Sequence, residues 1–207
     1  MKGRALVFLG LLAIWPQLGG AAPLVRDLGD GLGYVRIREL PADLPARAAN
    51  PPAALVVDVR YVAAGAEAAT AFAAWLEFRA TPRTPIFVLA NRDTSGELRA
   101  VLRGPHRGSG LAVIGLPGPN FEPDLAVRST ADDERAAYDA VEKDTPLATV
   151  LTDQPNKVRR DEARLARPLS AEPEAESGGE AARAIPVDAP LQRALHLHRA
   201  LRALRRL

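Results

Sequence analysis

The stretch that decides the fold is Ala53–Asn91, which reads AALVVDVRYVAAGAEAATAFAAWLEFRATPRTPIFVLAN. It begins and ends with short apolar runs, 54–60 and 85–91, whose branched residues are typical of buried strands. The segment between these runs carries apolar residues at helical spacing, namely Ala68, Phe72, Trp75 and Leu76. A strand, a helix and a strand in this order predict a βαβ unit, with parallel strands covered by helices.

Length and composition are those of one medium α/β domain with extensions. The chain has 207 residues, of which 47% are hydrophobic and only 5% aromatic, so its core must consist mainly of Ala, Leu and Val. It has no cysteine, which excludes disulfides, thiolate metal sites and a cysteine nucleophile.

Residues 1–22 have the parts of a secretory signal peptide. Lys2 and Arg4 precede an apolar run from Ala5 to Trp15, and small residues follow at the expected cleavage site. This apolar run is shorter than the about 20 residues that a transmembrane span needs, which favours a cleaved signal peptide. An uncleaved N-terminal membrane anchor is the alternative. We expect an exported protein, periplasmic or extracellular, without a transmembrane span in the mature chain. Coenzyme A, ATP and NAD are not expected there, and we predict no cofactor.

The charge balance argues against a nucleic-acid partner. Without Lys2 and Arg4, the 27 basic residues fall to 25, which equals the number of acidic residues. A general nucleic-acid binder normally carries a basic excess, and the mature chain has none.

The rest of the chain divides by composition. Residues 23–167 form the predicted α/β domain. Residues 168–186 are rich in acidic and small side chains, which predicts a disordered linker. Residues 187–207 have the pattern of an amphipathic helix. Further strands are predicted at 34–40, 111–115 and 124–128. The alternation in 34–40 indicates a strand with one wet face. Helical pieces are predicted at 97–103, 132–141, 146–151 and 156–166.

Several motifs resemble, in their order, the catalytic domain of the tail-specific (C-terminal processing) serine peptidases, family S41. They are Gly33-Tyr34-Val35-Arg36-Ile37, Leu55-Val56-Val57-Asp58-Val59-Arg60, Pro85 to Asn91 with Thr94-Ser95 and Glu97, Val113-Ile114-Gly115, and Asp188 to Leu195. The resemblance spans the chain from about Leu28 onward. It implies a ClpP/crotonase-like ββα superhelix core with a helical C-terminal part.

The same resemblance assigns candidate site residues. Ser95 stands where the family has its nucleophile, and Gly65, Ala64 and Gly96 lie in the turns whose backbone N–H groups would hold an oxyanion. The family's base is a lysine kept neutral by burial. The two lysines of the mature chain, Lys143 and Lys157, both follow the strand that should present that base.

Other residues allow both a chemical and a structural interpretation. His106, oriented by Asp93, is a second candidate base for Ser95, but Ser95 is better explained as a helix N-cap before Glu97. Asp58 and Arg60 are expected to pin a buried strand by pairing with neighbouring residues.

Three further groups have residue types that occur in ligand sites. His196 and His198 are expected to face different directions on one helix, so no metal site is predicted there. The run 132–134 is expected to be an acidic helix start rather than a calcium site. The leucine stripe of the C-terminal helix is expected to pack on the domain or on another subunit, the alternative being docking on an anionic membrane or nucleic acid.

These features predict an exported, tail-peptidase-like protein without peptidase activity, which acts as a peptide-binding, protein-binding or scaffold module. Its expected partners are a peptide or an envelope protein. One alternative is a serine hydrolase that uses Ser95 with His106 or an unrecognised base. Another is a structural envelope subunit that assembles as a homo-oligomer through its C-terminal helix.

Overall fold

The protein is an α/β structure built on one six-stranded, mostly parallel sheet. A computed structural model describes residues 23–46, 52–103, 110–143, 145–151 and 186–207. The strands are β1 (Leu24–Asp27), β2 (Leu32–Arg36), β3 (Ala54–Asp58), β4 (Ile86–Leu89), β5 (Leu111–Gly115) and β6 (Leu125–Ala126). The helices in the described part are α1 (Ala66–Arg79), α2 (Gly96–Leu102), α3 (Ala131–Glu142), α4 (Leu147–Val150) and α5 (Ala189–Ala203).

The strands lie in the sheet in the order in which they occur in the chain. β1 pairs antiparallel with β2, and every later pair is parallel. The predicted βαβ unit is β3, α1 and β4, with Val57 opposite Val88 in the register. Because β2 to β6 run in one direction, their carboxyl ends lie along one edge, where α/β sheets most often carry their sites.

Helices cover both faces of the sheet, and a separate apolar core lies under each face. On the first face, α1 and α2 bury Phe72, Leu76 and Leu98 against the valines of β2, β3 and β4. On the second face, α3, α4 and α5 pack against the opposite side chains of the same strands, including Val56 and Phe87. Both faces of the central strands are therefore buried, as expected for a parallel sheet.

The C-terminal helix belongs to the second face. Leu191, Ala194 and Leu195 of its leucine stripe are buried against the sheet. The stripe therefore packs on the domain itself, and α5 completes the layer that covers β3, β4 and β5.

The expectation of a wet face on the second strand was wrong. Tyr34, Val35, Arg36 and Ile37 are all buried, so both faces of β2 are covered. Arg36 is tolerated there because its guanidinium donates to Glu142 Oε2 at 2.8 Å and to the Tyr138 carbonyl oxygen at 3.0 Å. The strand also ends at Arg36 instead of Leu40.

The strand β1 was not predicted. It forms an antiparallel hairpin with β2 through a turn in which Gly29 and Gly31 have φ of 83° and 78°. These left-handed conformations favour glycine, which explains the glycine-rich sequence before β2. β6 is shorter than predicted, with two residues.

Several predictions fall outside the described residues. They are the signal peptide at 1–22, the helical piece at 156–166, and the linker at 168–186 except for its last residue. Among the described helices, none has the length and apolar character required to cross a membrane.

Gly115 at the end of β5 provides a test of the sheet packing. A Cβ at this position would lie 2.0 Å from the carbonyl oxygen of Ala90. We expect Gly115→Ala to lower the free energy of unfolding by about 1–3 kcal/mol, because a methyl group there would force the two strands apart and break backbone hydrogen bonds between them. The measurement is urea denaturation. Gly96→Ala is the control, since a Cβ there meets nothing within 4 Å. Equal stability of the two variants would contradict the close approach of β4 and β5.

Candidate functional site

Two turns meet at the carboxyl edge of the sheet, one after β3 and one after β4. The Ser95 N–H donates to the Val62 carbonyl oxygen at 3.0 Å, and Thr94 Oγ1 donates to the Val59 carbonyl oxygen at 3.1 Å. The Asn91 side chain fixes the second turn, because its Oδ1 accepts from the N–H groups of Asp93 and Thr94, each at 3.1 Å. The turns that the sequence singled out are thus direct neighbours.

Ser95 is the N-cap of α2. Its Oγ accepts a hydrogen bond from the Leu98 N–H at 3.4 Å, which is the structural role expected from the sequence. Thr94, the alternative cap, is buried and bonded to Asn91 and Val59 instead. The Ser95 hydroxyl therefore already has a task that requires no base.

The candidate oxyanion residues lie at the starts of the two helices. Gly65 is the N-cap of α1, with φ −84° and ψ 177°, and Gly96 is the first residue of α2. A Cβ at either glycine would meet nothing within 4 Å, so neither position needs glycine for space. Ala64 is half-buried against the core under α1.

No described base contacts Ser95. Lys143 is exposed at the C-terminal end of α3, which covers the opposite face of the sheet from α2. His106 and Lys157 lie outside the described residues. Within the part of the chain that the structure describes, the hydrogen bond recorded for Ser95 Oγ is the one to Leu98.

A polar groove lies beside these turns. It has a volume of about 460 Å³ and is lined by Tyr61, Arg92, Asp93, Ala131, Asp132 and Arg135. Tyr61 has φ of 63°, a left-handed conformation that is strained for a bulky residue and that often marks functional positions. The guanidinium of Arg135 lies 4.6 Å from the centre of the Tyr61 ring. Burial raises the pKa of Tyr61 to about 12, so its hydroxyl is a neutral donor.

A buried ionic cluster lies at the same edge of the sheet. We define the ionic cluster as Arg36, Asp58, Arg60, Glu134 and Asp188, all of which are buried. Arg60 is at its centre. Its Nε and Nη2 donate to the two oxygens of Asp58 at 2.9 and 2.7 Å, and its Nη1 and Nη2 donate to Asp188 at 3.0 and 2.8 Å. Asp58 and Arg60 pin the strand as expected, and they do so mainly through each other and Asp188.

The carboxylates of Asp58 and Asp188 also accept hydrogen bonds from outside the ionic cluster. Asp58 also accepts from the Tyr34 hydroxyl at 2.9 Å, and Asp188 accepts from the Leu191 N–H at 3.1 Å as the N-cap of α5. Burial alone would raise the pKa of Asp58, but the adjacent Arg60 and Arg36 hold this pKa below its ordinary value. The Asp58 carboxylate is thus a fixed ionic partner that is poorly suited to exchange protons with a substrate, and the Asp188 carboxylate is held by Arg60 and by the start of α5.

Glu134 is the exception within the ionic cluster. Its Oε2 accepts from Asn91 Nδ2 at 3.2 Å, whereas its Oε1 has no hydrogen-bond partner among the described residues and lies 3.9 Å from Arg60 Nη1. Burial raises the pKa of Glu134 above its ordinary value. The acidic start of α3 was interpreted correctly for Asp132 and Asp133, which are exposed, but Glu134 faces inward.

Sequence reasoning missed Arg36, Glu134 and Asp188 as members of one cluster. A signal existed for Glu134, because Glu134, Ala137 and Val141 share the spacing of one buried helix face. No comparable signal links Arg60 to Asp188, which is 128 residues away. Among the described residues, no group of three or more histidine, aspartate or glutamate side chains is arranged to hold a metal ion.

Comparison of the chain with family models, with curated proteins and with solved structures found no match.

The Arg60–Asp188 contact can be tested by substitution. We expect Asp188→Ala to reduce the free energy of unfolding by about 3–5 kcal/mol, because it leaves a buried guanidinium with one partner and removes the cap of α5. The measurement is urea denaturation, with limited proteolysis to detect release of α5. Asp132→Ala is the matched control. It removes an exposed carboxylate from the first turn of α3 and should cost less than about 1 kcal/mol. Equal losses in the two variants would contradict the role of the cluster.

His198 predicts a pH dependence of stability. The two histidines of α5 face different directions, as expected: His196 is exposed, and His198 is buried with neither ring nitrogen hydrogen-bonded within the described structure. Burial, reinforced by Arg202 and Arg199 and opposed by Asp30, lowers the pKa of His198. Below the unfolded-state pKa of about 6.5, the unfolded chain therefore binds a proton that the folded chain does not.

We expect the free energy of unfolding to fall as the pH is lowered below about 6.5, until the pH reaches the lowered pKa of the folded state. His198→Gln should remove part of this slope, and His196→Gln should leave it unchanged. The measurement is chemical denaturation at a series of pH values between 5 and 7.5. An unchanged slope in His198→Gln would contradict the assignment.

Proposed function

We propose that the protein is an exported, tail-peptidase-like module that binds a peptide or another protein and does not cleave it. The order of the elements supports this relationship, since parallel strands in sequence order bring the turns after β3 and β4 into contact. The ClpP/crotonase-like core is part of the same proposal.

The observation that carries the proposal is the position of Ser95. Its hydroxyl caps α2, and no described histidine or lysine lies within hydrogen-bond distance of it. A serine becomes a nucleophile only when a neighbouring base removes its proton. The carboxylates of the ionic cluster at the same edge of the sheet are held by arginines and by Asn91.

The polar groove is the proposed binding surface. It lies at the carboxyl edge of the sheet, where ligands of α/β proteins commonly bind. Its lining combines one tyrosine with two arginines and two aspartates. Such a mixture can pair with both the N–H and C=O groups of a peptide backbone and with side chains of either sign.

Assembly through the leucine stripe of α5 has less support. The stripe is buried against the sheet of the same chain, and of the large apolar side chains at the end of this helix only Leu204 is strongly exposed, at 70%. A single exposed leucine is normal for a protein surface.

Reactivity of Ser95 distinguishes a binding module from an enzyme. We expect a fluorophosphonate probe to leave Ser95 unmodified, as measured by mass spectrometry of the intact full chain and its peptides. The reason is that, among the described residues, no histidine or lysine lies within hydrogen-bond distance of the hydroxyl to activate it. Labelling that is lost in Ser95→Ala would overturn the proposal and identify a serine hydrolase.

A second measurement addresses the structural role of the same residue. Ser95→Ala should lower the free energy of unfolding by about 0.5–2 kcal/mol, and Ser95→Asp should restore most of it, because aspartate is also a strong N-cap. Loss of stability in both variants would show that the hydroxyl has a role other than capping.

A further inference from the structure

A second groove, separate from the polar groove, lies between the outer edge of β6 and helix α5. It has a volume of about 440 Å³ and includes Ala126 and Arg128 on one side and Gln192, Arg193 and His196 on the other. We call it the basic groove, because no aspartate or glutamate is among its described lining residues. It shares no lining residue with the polar groove.

Three basic side chains of the basic groove are available to a ligand. Arg128, Arg193 and His196 are exposed, and no hydrogen bond or ion pair between described residues engages their side chains. Asp188, which directly precedes the groove residue Ala189, is buried and paired with Arg60, so it does not neutralise the groove. Asp124, just before β6, is not among the lining residues, and its Oδ2 accepts from the Val113 N–H at 2.8 Å. The arrangement therefore favours an anionic partner.

The backbone of β6 adds a second, independent feature. Among the described strands, β6 forms the end of the sheet and pairs on one side only, with β5. The Val127 N–H donates to the Gly115 carbonyl oxygen at 3.0 Å, which points it towards β5. Because alternate residues of a strand present their N–H and C=O groups to opposite sides, those of Ala126 and Arg128 point to the open edge.

We propose that the basic groove binds an acidic peptide, which adds as a strand to the edge of β6 and places carboxylates beside Arg128 and Arg193. Addition of a strand uses the unpaired backbone groups for affinity and the side chains for specificity. Side chains of one face of a strand recur at every second residue, so the best ligand has glutamates in alternation.

A nucleic acid is the other polyanion that two arginines and a histidine could attract. The open strand edge favours the peptide, because a nucleic acid cannot supply the alternating N–H and C=O groups that pair with a strand. The proposal does not depend on whether Ser95 is reactive, since the groove and the serine belong to different parts of the surface. Probe labelling and peptide binding can therefore fail independently.

The test uses a fluorescein-labelled peptide with the sequence Glu-Val-Glu-Val-Glu and the purified full chain, with binding followed by fluorescence anisotropy. We expect saturable binding that weakens with added salt. The double variant Arg128→Gln, Arg193→Gln should bind about tenfold more weakly. The control Arg83→Gln, Arg206→Gln removes the same charge from exposed positions outside the groove and should bind about as well as the unmodified chain. Equal weakening in both double variants would overturn the site.

Two further ligands test the alternatives, which are binding by charge without strand addition and binding of a nucleic acid. A peptide of the same sequence with every backbone nitrogen methylated keeps the charges but has no backbone N–H groups to donate to the strand, and we expect it to bind clearly more weakly. Equal binding of the N-methylated peptide would overturn strand addition. A single-stranded oligothymidine of similar charge should bind more weakly than the acidic peptide. Tighter binding of the oligonucleotide, with the same dependence on Arg128 and Arg193, would overturn the choice of a peptide partner.

Discussion

The buried guanidinium of Arg60 is the constraint on which the rest of the structure depends. Transfer of an arginine and two carboxylates from water into a protein interior costs several kcal/mol for each ion. The cost is offset here because Arg60 makes two hydrogen bonds to Asp58 and two to Asp188, each between 2.7 and 3.0 Å. Once Arg60 is buried, β3 and the first turn of α5 can occupy only one relative position, since any displacement leaves charge without a partner.

Much of the sheet could be predicted from sequence, because buried parallel strands are short apolar runs and α1 has helical spacing. The βαβ unit at β3, α1 and β4 has this character throughout. β2 does not, because Arg36 gives it the alternation of a strand with one wet face. Its partner Glu142 lies 106 residues further along the chain. No local pattern can show that such a distant carboxylate will cover it.

The candidate site also has a part that could be predicted from sequence and a part that could not. The cap at Ser95 could be predicted, since capping depends on the residue itself and the next three positions. The polar groove could not be predicted, because Tyr61 and Arg135 meet only after α3 has docked on the sheet. The ionic cluster could not be predicted either, because Arg60 and Asp188 are 128 residues apart in the chain. Asn91 shows the difference between the two parts. The apolar run 85–91 predicts only the end of a strand there, yet the Asn91 side chain orders the turn before α2 and also donates to Glu134.

The separation of Arg60 from Asp188 by 128 residues has a consequence for biosynthesis. The strands β1 to β6 all precede residue 188 in the chain, so during synthesis Arg60 has Asp58 as a partner before Asp188 exists. Domains tend to fold as units during synthesis. In this protein the layer on the second face of the sheet cannot be completed until Asp188 and α5 have been translated, although α3 and α4 precede them in the chain.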